Sequence, residues 1–347
     1  MSEVAPLNPT AQSEKRRKIE AGLVVLASAV VAIMVPGIIL NALGVPHAGV
    51  VGMTGLATMI STAMLGWRAG AISALTLTVG LVIADAAAHF WITAVIVMVV
   101  VSVAYGLTAL RGWQWGFMLT AILFAAVIVN PPTRDLTLTH PVTLLDLAVV
   151  TAATTAFGVA AVTLITKGRA LSKEVPIGPE RAYPYAAMLG IAALITTSIA
   201  LQGSFKGGAA LMMTPIIVLE PFLKHGMIVR IFDRGWGVVA GSLLAIGLSV
   251  AIAQDWGVFV AGAVAAAVAL FAKMAKWEYR HYVAALTTAV VLFSGSQATI
   301  LADGRDRMVA TLLGIAIAAV LAALSIPLLR RARQEESRGV SASSVAS

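Results

Sequence analysis

Apolar residues run along this chain in long stretches separated by short polar or basic turns. A bilayer core takes roughly 20 apolar residues per helix. Against that length the chain divides into about twelve predicted spans, near 21–44, 50–66, 70–88, 92–110, 114–130, 143–166, 184–202, 207–223, 235–253, 257–273, 280–300 and 308–329. The second and eighth are short and interrupted by Gly or Pro. The pattern predicts an all-α polytopic membrane protein.

The basic residues supply an independent check. With the N-terminus in the cytoplasm, 20 of the 24 Lys and Arg fall on the inner side. Only Arg134, Lys206, Arg305 and Arg307 fall outside. This loop-by-loop alternation is what the positive-inside rule demands, and it places both termini in the cytoplasm. The net charge of +8 is thereby accounted for as topology, not as a nucleic-acid surface.

Composition agrees. The chain is 59% hydrophobic and 12% charged, too little charge to cover a soluble protein of 347 residues. It has no cysteine, which excludes thiolate chemistry and disulfides, and its five histidines are scattered singly. No metal site and no cofactor are expected. The first apolar run is too long for a signal-peptide core and lacks a small-residue cleavage site, so a membrane anchor is expected there. There is no Walker loop, nucleophile elbow or HExxH, so no enzyme is expected.

The predicted organisation is a cytoplasmic tail over 1–20, six spans over 21–166, a basic connector over 167–183, six spans over 184–329 and a second cytoplasmic tail over 330–347. The halves echo each other weakly. Gly66-Trp67 and Gly235-Trp236 open the third and ninth spans, and Trp113 and Trp277 precede the fifth and eleventh. Six spans per half make the repeat parallel, with a pseudo-twofold axis along the membrane normal. Interfacial anchoring explains the tryptophans equally well.

Ionisable groups inside a bilayer are costly and mark candidate paths. Asp85 is placed at the outer end of the third span, within reach of solvent. Asp146 lies one turn into the sixth, where it serves either a functional role or the helix dipole. Glu220 stands between Pro215 and Pro221, where broken helix geometry and burial favour a proton-binding carboxylate; a salt bridge to Lys224 or Arg230 is the structural alternative. Asp233 pairs most simply with Arg234 or Arg230. Asn41, Thr54, Thr58, Thr214 and Gln297 line a polar path or make helix–helix hydrogen bonds.

Two stretches share a form: Arg234-x-x-Gly237-Val238-x-x-Gly241 and Arg307-x-x-Ala310-Thr311-x-x-Gly314. Each sets a base at the expected start of a span, followed by small residues four apart that admit close helix packing. The pattern Arg-x-x-Gly-Thr-x-x-Gly resembles that of the fusaric-acid-resistance family, which is similar to aromatic-acid exporters and, more distantly, to plant aluminium-activated malate transporters. The run from Thr214 through Glu220 to Pro221 adds to the likeness, which is best over 184–329. Each copy departs once, at Val238 and at Ala310, and no copy is legible in the first half. A short connector replaces the large cytoplasmic domain of many relatives.

The resemblance implies export of small organic anions, typically aromatic carboxylates, across the inner membrane of a bacterium. Arg234 inside and Arg307 outside, with Thr214 and Gln297, would bind substrate, and Glu220 or Asp146 would couple it to protons. A periplasmic adaptor protein is the partner the resemblance implies, and a homo-oligomer fits the same reading. A passive organic-anion channel and a non-transporting assembly partner are the alternatives.

Overall fold

The computed structural model describes residues 48–134, 143–168, 170, 175–203, 207–219, 227–252, 255–274, 277–294 and 304–324. These residues form helices and no strand. The first half contains α1 (Ala48–Leu65), α2 (Trp67–Ala87), α3 (Trp91–Leu107), α4 (Gln114–Val129) and α5 (Leu144–Thr166). The second contains α6 (Pro179–Gln202), α7 (Gly208–Val218), α8 (Met227–Ala251), α9 (Asp255–Met274), α10 (Tyr279–Ser294) and α11 (Gly304–Leu324). Each occupies one of the apolar segments; the segment 21–44 lies outside the described residues.

Among the described residues, six helices are long and apolar enough to cross a membrane. They are α2, α5, α6, α11, α3 continued by a 3-10 turn to Arg111, and the Ile231–Ala251 part of α8. The chain is a multi-pass membrane protein. Leu75, Val79 and Ile83 on α2, and Leu145 and Val149 on α5, are exposed, as lipid-facing residues are. Trp67, Trp91 and Trp277 are half-exposed beside helix starts. Arg68 stacks over Trp67 at 5.7 Å and Arg111 over Trp113 at 5.3 Å, pairings suited to an interface where ring and cation share one boundary.

Local chemistry sets the helix ends. Thr143 caps α5 by accepting from the Asp146 amide at 3.1 Å, and Asp146 accepts from the Thr143 amide at 2.9 Å. This reciprocal box satisfies two otherwise orphaned donors. α6 begins at Pro179, five residues before the predicted span, because proline at the first helical position sacrifices no hydrogen bond. Gly66 joins α1 to α2 at φ 91°, a left-handed turn suited to glycine.

One apolar cluster unites α1 to α4, α6 and α7 with α11. A smaller one joins α8, α9 and α10 through Ala245, Val258, Val291 and Leu292. The two halves meet where α3 packs on α6, with Gly106 against Ala186 and Gly190 against Val103. Small residues let the backbones approach there, which is how helices associate without a solvent-driven force.

Candidate functional site

The two Arg-containing stretches lie on α8 and α11. α8 starts at Met227, so Arg234 stands two turns inside the helix and not at its start as expected. Backbone pairing continues upstream because residues 227–233 contain no proline or glycine to stop it. A Cβ on Gly235 would lie 3.9 Å from the Leu312 side chain and 3.8 Å from that of Ile315, near the middle of α11. Arg234 is therefore level with the interior of its partner helix.

The glycines of this stretch seat α10. A Cβ on Gly237 would lie 2.7 Å from that of Val283, and one on Gly241 2.8 Å from that of Thr287. Thr288 donates to the Gly241 carbonyl at 3.0 Å. Arg234 itself is 9% exposed, and among the described residues it has no hydrogen-bond or ion-pair partner. Its Nε–H is buried and unanswered. Asp233 does not pair with it, contrary to the simplest expectation. The Arg230 side chain lies outside the described residues.

On α11, Arg307 is half-buried in the first turn and Ala310 is fully buried. Gly314 packs against α7: its Cβ would lie 2.8 Å from that of Thr214 and 3.0 Å from the Leu211 carbonyl oxygen. Thr214 is buried and donates to the Ala210 carbonyl at 2.7 Å, so its proton is already committed. Gln297, Glu220 and Pro221 lie outside the described residues.

Asp146 is exposed and engaged in the cap of α5, the geometry of its helix-terminus reading. Asp85 departs from expectation. It is buried, and accepts from the Thr133 amide at 3.2 Å and the Thr133 hydroxyl at 2.5 Å. The turn Pro132–Arg134 after α4 folds over it and excludes solvent.

Of a hydroxyl-rich interface in the first half, sequence reasoning named Thr54 and Thr58 as helix–helix hydrogen-bond candidates but missed their α5 partners. Thr54, Thr58, Thr151, Thr154 and Thr155 are all buried between α1 and α5. Thr54 and Thr154 hydrogen-bond at 2.8 Å, and Thr58 donates to the Thr155 carbonyl at 3.2 Å. Their spacing was legible, but threonine is neutral enough to pass as part of an apolar span.

Residues 191–321 match the model of the family described as fusaric acid resistance protein-like. Over this segment the chain is similar to the fusaric-acid-resistance family. Both Arg-containing stretches fall within it. Its description points to membrane transport of the efflux type. No curated protein and no solved structure matches the chain.

Proposed function

We propose that this chain is a member of the fusaric-acid-resistance family that exports small organic anions, aromatic carboxylates among them, across the bacterial inner membrane. Arg234 is the single observation that carries this reading. A buried guanidinium with no described partner bears an unanswered charge within a helix bundle, and a carboxylate is the ligand that answers it with paired hydrogen bonds. Arg307, half-buried at the other motif, is the second fixed charge on the path. Glu220 is the candidate for proton coupling. A periplasmic adaptor would continue the route beyond this membrane.

The reading includes twelve spans in two parallel repeats with both termini cytoplasmic. Two sets of contacts support it. Gly158 packs on Thr58 and the Gly55 carbonyl as Gly314 packs on Thr214 and the Leu211 carbonyl, each residue 156 positions from its counterpart. Ser73 bonds Thr120 at 3.0 Å between α2 and α4, as Gly241 bonds Thr288 between α8 and α10, each 168 positions apart. On this alignment the first-half counterpart of the α11 stretch is Thr151-x-x-Thr154-Thr155-x-x-Gly158. It was not legible because threonine stands where Arg307 and Ala310 do.

The test is flux of radiolabelled benzoate and malate in proteoliposomes, with and without a pH gradient. Arg234→Gln is expected to reduce carboxylate flux at least tenfold while the protein remains folded. Unchanged flux in that variant would remove the central argument. Sustained unitary currents in planar bilayers would assign a channel instead.

A further inference from the structure

Ser242 lies two turns beyond Arg234 and shares its predicament: it is 1% exposed, and its hydroxyl has no hydrogen-bond partner among the described residues. Threonine and serine hydroxyls inside helices usually donate to the carbonyl one turn back, as Thr196, Thr214 and Thr288 do here. Ser242 does not. Two unanswered polar groups on one helix call for a common cause.

Their place on α8 supplies it. Successive helical residues turn by about 100°. Gly237 and Gly241 point to α10, and Gly235 points to α11 on the other side. The sector between these directions, about 120° wide, holds Arg234, Val238 and Ser242. All three are buried, so the row lies in the wedge between α10 and α11 and not toward lipid. Beyond Ser242 the wedge is sealed by Ala245, packed with Val258, Val291 and Leu292. Arg234 and Ser242 are separated by roughly 12 Å along the axis, at about 1.5 Å per residue.

We infer that the wedge between α8, α10 and α11 is a water-accessible binding site for a small organic anion, with Ser242 as its second polar contact. The anion meets Arg234 with its charge, lies along Val238 and receives the Ser242 hydroxyl proton. The inference rests on the transport reading for its ligand, but it places the site inside the second repeat instead of between the halves. It also predicts a conformation in which α10 or α11 draws back from the row, since burial leaves no open route to it.

The absence of native cysteine makes the test direct. Ser242→Cys and Val238→Cys are introduced singly into the full chain in proteoliposomes, with lipid-facing Leu243→Cys and Leu244→Cys as controls. The probes are an anionic and a cationic methanethiosulfonate of similar size. Cysteines at 238 and 242 are expected to react at least tenfold faster than the controls, with the anionic probe favoured. Benzoate should slow that reaction, and adding Arg234→Gln should abolish the preference for the anion. Labelling at 242 no faster than at 243 would overturn the site even if the wild-type protein transports benzoate. Fast, anion-selective labelling in a protein that moves no acid would instead keep the site and overturn the transport reading. Circular dichroism and gel filtration of each variant confirm the fold. Ser242→Ala, which only removes an unanswered group, is added to Val238→Cys as a second probe: it should raise the benzoate concentration needed to protect the cysteine at 238 several-fold.

Discussion

Gly314 on α11 has no room for a side chain because Thr214 on α7 stands where its Cβ would go, at 2.8 Å from the neighbouring methine carbon. Gly235, by contrast, would place a Cβ 3.8 Å from Ile315, an ordinary contact. Gly314→Val is therefore expected to lower the melting temperature in detergent steeply, at a cost of about 3 kcal/mol or more. Gly235→Ala should shift it little. Equal effects from the two substitutions would show that α7 and α11 are not locked at this point.

The cap of α5 gives a second test. Thr143→Ala removes the side chain that caps the helix and Asp146→Asn weakens its answering acceptor, and each should lower the melting temperature by a few degrees at most. Transport and its pH dependence should survive both. Loss of a proton-driven component in Asp146→Asn would return Asp146 to the coupling role that its sequence position allowed.

Asp85 and Thr133 tie the end of α2 to the turn after α4. Thr133→Val leaves a buried carboxylate one donor short, and about 1–3 kcal/mol of stability should be lost. Asp85→Ala should cost a similar amount, and the double variant less than the sum of the two. Additive losses, measured by a thermal double-mutant cycle, would show that the two residues act independently.

If the halves are repeats, the second half states which residues the first can bear. Ala210 and Ala310 are the counterparts of Thr54 and Thr154, which bond at 2.8 Å. Replacing both threonines with alanine should cost no more than about 1 kcal/mol, because membrane hydrogen bonds of this kind average well below that figure. A collapse of expression in the double variant would mean that the hydroxyl interface has a role the other half lacks.

How much was readable in advance follows from which forces act locally. The apolar runs determined the membrane class, the all-helical fold and the segments that α1 to α11 occupy, because a bilayer imposes length and backbone satisfaction on each span separately. They did not determine every end, since α8 starts eight residues ahead of its apolar run. The Arg-x-x-small pattern carried the resemblance to the fusaric-acid-resistance family, whose model matches residues 191–321. Neither could reveal what each side chain meets. That Asp85 is buried under Thr133, that Arg234 lies inside α8 without a described partner, and that Ser242 shares its sector were decided only by which helices stand beside them. Along the chain, a polar residue in a membrane helix looks alike whether it is capped, paired or unanswered. Its burial and its partners are properties of neighbours far away in sequence, and only the tertiary packing of α7, α8, α10 and α11 supplies them.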